Sequence, residues 1–190
     1  MVRPMHHRRS VVLGILGLLA GCGGFGSGRV AQTTESANPA RGDVDQIGDL
    51  LLSSSAFEAG GRIPAKYGYS QQNVNPSLTI SGTPDGAESL TLIIDDPDAL
   101  EPAGKVWLHW LVWNISPDRA EIPEAWSPTD AIEGMNDFGE RGYGGPDPPE
   151  AVHTYRIKLF ALDTHLDLNP DTTVEEIGRA MADHIIAQTQ

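Results

Sequence analysis

The chain of 190 residues holds a single cysteine, Cys22, so no disulfide can close within it. Positive charge is also scarce. Thirteen Lys and Arg stand against 26 Asp and Glu, a formal net charge of -13, and the lysines are only Lys66, Lys105 and Lys158. Neutralising a phosphate backbone needs a basic patch, so nucleic acid is excluded as a partner. An acidic, lysine-poor surface suits very high salt, where screening relieves self-repulsion; a halophilic source and an ordinary acidic extracytoplasmic protein both fit. Long apolar runs are missing too. The longest, Val11 to Ala20, has half of the roughly 20 residues a spanning helix needs. There is no G-x-S-x-G elbow for a serine hydrolase and no HExxH or H-x-H spacing to pre-assemble a metal site.

What the N-terminus does contain is ordered in a recognisable way. Arg8 and Arg9 precede the short apolar run, and Leu19-Ala20-Gly21-Cys22 follows it. This resembles the lipobox of secreted lipoproteins, in which the peptide is cut before the cysteine and the thiol receives a diacylglycerol. The paired arginines fit either general export or a twin-arginine signal. The expected organisation is a signal peptide over 1–21, a flexible tether over 22–48 that is rich in Gly, Ser, Thr, Asn and Asp, and a folded domain over 49–190. Localisation at the outer face of a membrane, held by lipidated Cys22, follows.

From Leu50 onward short strands alternate with Gly/Pro turns, the pattern of an all-β sandwich or barrel. Strands are expected at Leu50 to Phe57, Ser77 to Ser81, Ser89 to Ile94, Lys105 to Ile115 and His153 to Asp163. On the longest, strict alternation puts Trp107, His109, Leu111, Trp113 and Ile115 on one face and Leu108, Trp110 and Val112 on the other. Residues 116–152 form a long loop with six prolines, including the segment GYGGPDPP. Thr173 opens a helix with Glu176 in capping-box position, and Val174, Ile177, Met181 and Ile185 form its apolar stripe.

Within that framework four motifs stand in order: Asp96-Pro97-Asp98-Ala99, Trp107-x-His109, Gly145-Pro146-Asp147-Pro148-Pro149 and His153-x-Tyr155. Phe57-x-x-Gly60-Gly61-x-Ile63-Pro64 and Phe160-Ala161-Leu162-Asp163 support them. Together they resemble the phosphatidylethanolamine-binding protein family, in its bacterial and archaeal Raf-kinase-inhibitor-like branch. The resemblance implies two antiparallel sheets with a few peripheral helices. It also implies a small anion-binding cavity, for phosphate, acetate or a phospholipid headgroup, lined by Asp96, Asp98, His109, Gly145, Pro146, His153 and Tyr155. Trp107 is a further candidate wall. Two positions depart from the family pattern: Leu100 stands where a proline is usual, and Thr154 where many members carry arginine.

The residue chemistry leads to the same expectation. Two histidines on separate strands can converge at one end of a sandwich and donate to an oxyanion if protonated. Glycines at 144 and 145 let backbone N–H groups come close to a ligand, and Tyr155 adds a hydroxyl. Asp96 is better placed to orient a histidine than to face an anion. No cofactor is implied. The expected function is therefore a non-enzymatic, lipid-anchored binding protein for a small anionic or phosphorylated ligand. Two alternatives remain open at this point: an inhibitor or regulator of a protein partner acting through the pocket loop, and a metal-dependent enzyme using Asp96, His109 and His153. The sequence does not fix the oligomeric state, a homodimer included.

Overall fold

A computed structural model describes residues 38–149 and 152–190. The leader, Cys22 and most of the expected tether lie outside the described residues. Among the described residues, eight strands form two antiparallel sheets. The smaller joins β1 (Leu51–Ser53), β2 (Leu78–Ser81) and β5 (Glu121–Ile122). The larger has the order β6-β4-β3-β7-β8, built from β6 (Ile132–Glu133), β4 (Trp107–Ile115), β3 (Ser89–Asp96), β7 (Arg156–Leu162) and β8 (Ile185–Thr189). A short helix α1 (Leu100–Ala103) joins β3 to β4, and α2 (Val174–Met181) precedes β8.

Strand β3 explains the layering. Every residue of it is buried, because it is the central strand and both of its faces are covered. One face, with Leu90, Leu92 and Ile94, meets Leu78, Ile80 and Ile122 of the smaller sheet. The other, with Ile93, packs with Phe160, Leu162, Trp113 and the Val174, Ile177 and Met181 stripe of α2. Thr173 caps α2 through the reciprocal Thr173–Glu176 box, as its sequence requires.

Strict alternation fails on β4, and the failure shapes the site. The β3–β4 register passes from Ile94↔Trp110 to Asp95↔Leu108, leaving His109 as an extra residue. A second shift lies between Leu90↔Ile115 and Leu92↔Val112, beside Asn114, whose φ is 56°. Each bulge reverses the faces. Trp110, Val112 and Ile115 therefore share the inter-sheet core, whereas Leu108, Leu111 and Trp113 share the other. The single expected face from Trp107 to Ile115 is thus corrected at both ends.

Three further expectations are revised. The first strand is only Leu51–Ser53, because Ser54 leaves the ladder to bond Ser77 through its hydroxyl. Ile185 opens β8 rather than completing the helix stripe, since the helix stops at Met181 and the chain turns through His184 N–H to Met181 O. The tether as drawn to residue 48 is too long. Residues 38–48 already pack on the body: Ala40 is fully buried, and Asn38 sits against Gly178 of α2.

That N-terminal strap covers a buried ion cluster. Asp95 accepts from Arg156 at 2.7 and 2.9 Å and from Lys158 at 2.8 Å. Lys158 Nζ also donates to Ala40 O, and Arg156 donates to Arg41 O and to the Asp43 carboxylate. Burial pushes the fully buried Lys158 ammonium down, and Asp95 opposes that shift. Among the described residues no helix is long and apolar enough to cross a membrane.

Candidate functional site

Adjacent carboxylates at the end of β3 point to opposite sides. Asp95 serves the ion cluster, while Asp96 turns to a cavity at the end of the larger sheet. Asp96 Oδ1 accepts the Ala99 N–H at 3.1 Å and so fixes the Asp-Pro-Asp turn. Its Oδ2 meets His153 Nδ1 at 2.6 Å. Both groups are largely buried, so the pair locks the imidazole at the mouth of β7.

The bulge at His109 sets the second histidine. The ring is 3% exposed, and Nδ1 lies 2.6 Å from Gly144 O. A carbonyl only accepts, so Nδ1 is the donor. The Gly144 N–H returns a bond to His109 O at 2.8 Å, tying the Pro-rich loop to β4 at two points. Burial pushes the His109 imidazole down, with the Gly144 carbonyl and Asp96 opposing. Burial thus favours the neutral ring, in which Nδ1 carries the N–H and Nε2 offers a lone pair, over the imidazolium donor expected from sequence.

The cavity has a volume of about 320 Å³. Of the residues expected in it, Asp96, Trp107, His109, His153 and Tyr155 line it. Asp98 does not: its Oδ2 accepts the Thr154 N–H at 2.7 Å and braces the loop instead. Pro146 lines a wider neighbouring groove of about 640 Å³, which shares His153 and Tyr155 with the cavity. Gly145 lines neither. Its N–H donates to Asn73 Oδ1 at 2.8 Å, and a Cβ there would sit 1.9 Å from Tyr67 O. The glycines at 144 and 145 thus serve close packing, and neither offers its N–H to a ligand. Leu100 is exposed and outside the cavity, so the departure from proline leaves the walls intact.

Sequence reading missed Phe138 and Asp147 in the wall, together with Ala99, Pro102 and Ala103 on its α1 side. Phe138 packs edge-on to Trp107 and to His109 and stacks on Tyr69 at 3.8 Å. Nothing local marks a loop phenylalanine as a wall; its role comes from tertiary contact. Asp147 stood within the quoted Gly-Pro-Asp-Pro-Pro motif and was a legible candidate.

Among the described residues, three polar atoms of the lining are buried without a hydrogen-bond partner: His109 Nε2, Trp107 Nε1 and Tyr155 Oη. An unpaired buried polar group costs about 1–3 kcal/mol, so three in one small cavity call for a shared partner. Burial pushes the Tyr155 phenol up, so it stays a neutral hydroxyl. The Asp96, His109 and His153 set does not assemble as metal ligands. Asp96 and His153 bond each other, and among the described residues no three His, Cys, Asp or Glu side chains are gathered to hold an ion.

Comparison with known proteins gives a consistent answer. The chain is 42% identical over 146 residues to a UPF0098 protein of Methanothermobacter thermautotrophicus, covering 74% of this chain and 95% of that one. It is 33% identical over 180 residues to LppC of Mycobacterium tuberculosis, named as a candidate lipoprotein, covering 90% and 86%. Among solved structures, CT736 of Chlamydia trachomatis, a candidate phosphatidylethanolamine-binding protein homologue, matches at 38% identity and a TM-score of 0.69 over 73% of this chain and 92% of that one. YbcL of E. coli, described as a member of the mammalian family, matches at 31% and 0.67 over 73% and 93%. Residues 53–190 match the family model for phosphatidylethanolamine-binding protein, and with the two-sheet fold and these relatives the chain belongs to the phosphatidylethanolamine-binding protein family.

Proposed function

We propose that this is a lipid-anchored extracytoplasmic binding protein whose cavity holds the phosphate-bearing or headgroup-like end of a small ligand. The observation that carries the reading is the trio of unpaired buried atoms, His109 Nε2, Trp107 Nε1 and Tyr155 Oη, around one cavity. The indole N–H and phenol O–H supply two donors for an oxyanion without any ionised partner. The site is pre-formed: Asp96 holds His153, the Gly144 backbone holds His109, and prolines 146, 148 and 149 stiffen the loop. We read the role as binding, with Asp96 a positioning group whose two oxygens hold the Ala99 N–H and His153.

Anchoring is supported by the Leu19-Ala20-Gly21-Cys22 sequence and by the lipoprotein name of the LppC relative, whose match extends over 90% of this chain. The test of ligand binding is calorimetric titration of the domain with inorganic phosphate and with phosphoethanolamine, beside a His153→Ala variant. Saturable binding by the wild type, weakened in the variant, is expected. Absence of binding by both ligands overturns the reading.

A further inference from the structure

The motif Phe57-x-x-Gly60-Gly61-x-Ile63-Pro64 takes no part in the cavity. It builds a wall of the wider groove of about 640 Å³ beside it. Gly60, with φ at 72°, and the bond from Gly61 N–H to Glu58 O at 2.8 Å reverse the chain there. Phe57 and Ile63 are thereby set on either side of one turn. A second wall comes from the entry to β7. Arg156 points to the ion cluster, so its neighbours Tyr155 and Ile157 face the other way, into the groove. Glu58 and Arg62 are exposed at the rim, whereas Phe57, Ile63, Pro64 and Ile157 are half-buried. The groove thus pairs an apolar floor with a charged rim, as small-molecule sites do, and its size lies within their usual range of roughly 300–1,000 Å³.

Groove and cavity adjoin: Asp147, Pro148, His153 and Tyr155 line both. They are also fixed to each other. Just after the motif, Tyr69 N–H donates to Pro146 O at 3.1 Å and the Ser70 hydroxyl donates to the Asp147 carboxylate at 3.1 Å, tying that segment to the pocket loop. Resting on the binding reading above, we infer that the groove is a second subsite for the same ligand, and that the ligand is a phosphate monoester with an apolar hydrocarbon substituent. The phosphoryl group sits in the cavity. The substituent crosses the boundary at His153 and Tyr155 and lies against Phe57, Ile63 and Ile157. Apolar surface that the motif leaves half open to water is covered by the ligand, which adds hydrophobic affinity to the hydrogen bonds of the cavity.

Calorimetry on the full-length protein with inorganic phosphate, methyl phosphate and hexyl phosphate tests this, beside the variants Phe57→Ser and Ile63→Ser. Full burial of one methylene is worth about fourfold in affinity. Half-burial of the longer chain in an open groove should therefore make hexyl phosphate at least about thirtyfold tighter than methyl phosphate. Each serine variant should cut that advantage at least about threefold, while inorganic phosphate, which reports the cavity alone, binds as in wild type. Thermal melts confirm that each variant is folded; if one is not, the other variant and the wild-type series carry the test. Displacement of bound hexyl phosphate by phosphatidylcholine vesicles that carry phosphatidic acid, and not by phosphatidylcholine alone, assigns the ester to a lipid; no displacement assigns it to a soluble compound. Methyl and hexyl phosphate binding within about threefold of each other, or the full advantage retained in the folded serine variants, overturns the inference and leaves the anion pocket standing. Failure of phosphate and both esters to bind removes the pocket reading itself, and this inference with it.

Discussion

Tyr155→Phe should raise the stability of the ligand-free protein and weaken its binding. In most cores, removing a tyrosine hydroxyl costs stability because the hydroxyl is paired. Here Oη is buried and has no partner among the described residues, so the folded state carries its desolvation without return. Deleting it should add about 1–2 kcal/mol, which for a body of this size is roughly 2–8 °C in melting temperature. The same deletion removes one donor to the bound anion, a bond to a charged group worth about 1.5–3 kcal/mol, so phosphate affinity should fall about ten- to hundredfold. Tyr143→Phe is the control. Its hydroxyl donates to Tyr67 O at 3.1 Å, so this variant should lose about 1 kcal/mol and bind normally. Thermal melts with and without phosphate, with calorimetry on all three proteins, read both effects. If Tyr155→Phe is destabilised as Tyr143→Phe is, and binds like wild type, the unpaired hydroxyl is not waiting for a ligand and the reasoning fails.

Asp95→Asn leaves Arg156 and the fully buried Lys158 without their shared carboxylate; loss of about 3–5 kcal/mol is expected in urea unfolding, and a loss under 1 kcal/mol would show the strap does not depend on the cluster. Gly145→Ala drives a Cβ to 1.9 Å from Tyr67 O and should cost about 1–3 kcal/mol or more, read by the same melts. Burial holds the His109 imidazole below its ordinary value of 6.5. The unfolded chain therefore binds more protons between that value and the lower folded one, and stability is full above about pH 6.5 and declines as pH falls. The stability margin of wild type over His109→Gln should shrink between pH 7.5 and 5; a constant margin contradicts it. Cys22→Ala should release the protein from the membrane fraction and lack the diacylglycerol adduct expected in mass spectra of the wild type; an unchanged distribution removes the anchoring proposal.

The two-sheet fold, the capped helix and the convergence of Asp96, Trp107, His109, His153 and Tyr155 were all legible in the sequence. Those features are written in local patterns: a continuous apolar run for β3, the Thr173–Glu176 box, and four motifs in fixed order. What escaped was set by tertiary contact. Alternation along β4 gave no sign of the bulges at His109 and near Asn114, because a bulge is a property of two strands and its residue need not be glycine. Asp96 was expected to orient a histidine, and the structure shows which: the bulge turns His109 to Gly144 and leaves Asp96 to His153. Gly145 read as a ligand-approach glycine, but the neighbour that demands it is Tyr67 O, more than 70 positions away in the chain. Ala40 and Asn38 carry no apolar period, and only the packing of the strap over Lys158 and α2 brings them into the body.

Nitrogen-detected NMR of the labelled imidazoles during a phosphate titration at pH 7 tests the pocket most directly. The account predicts that free His109 shows a protonated Nδ1 and a bare Nε2, and that saturating phosphate moves the Nε2 resonance to that of a hydrogen-bonded acceptor while His153 also shifts. If both histidines keep their resonances at saturating phosphate, the cavity is not an oxyanion site.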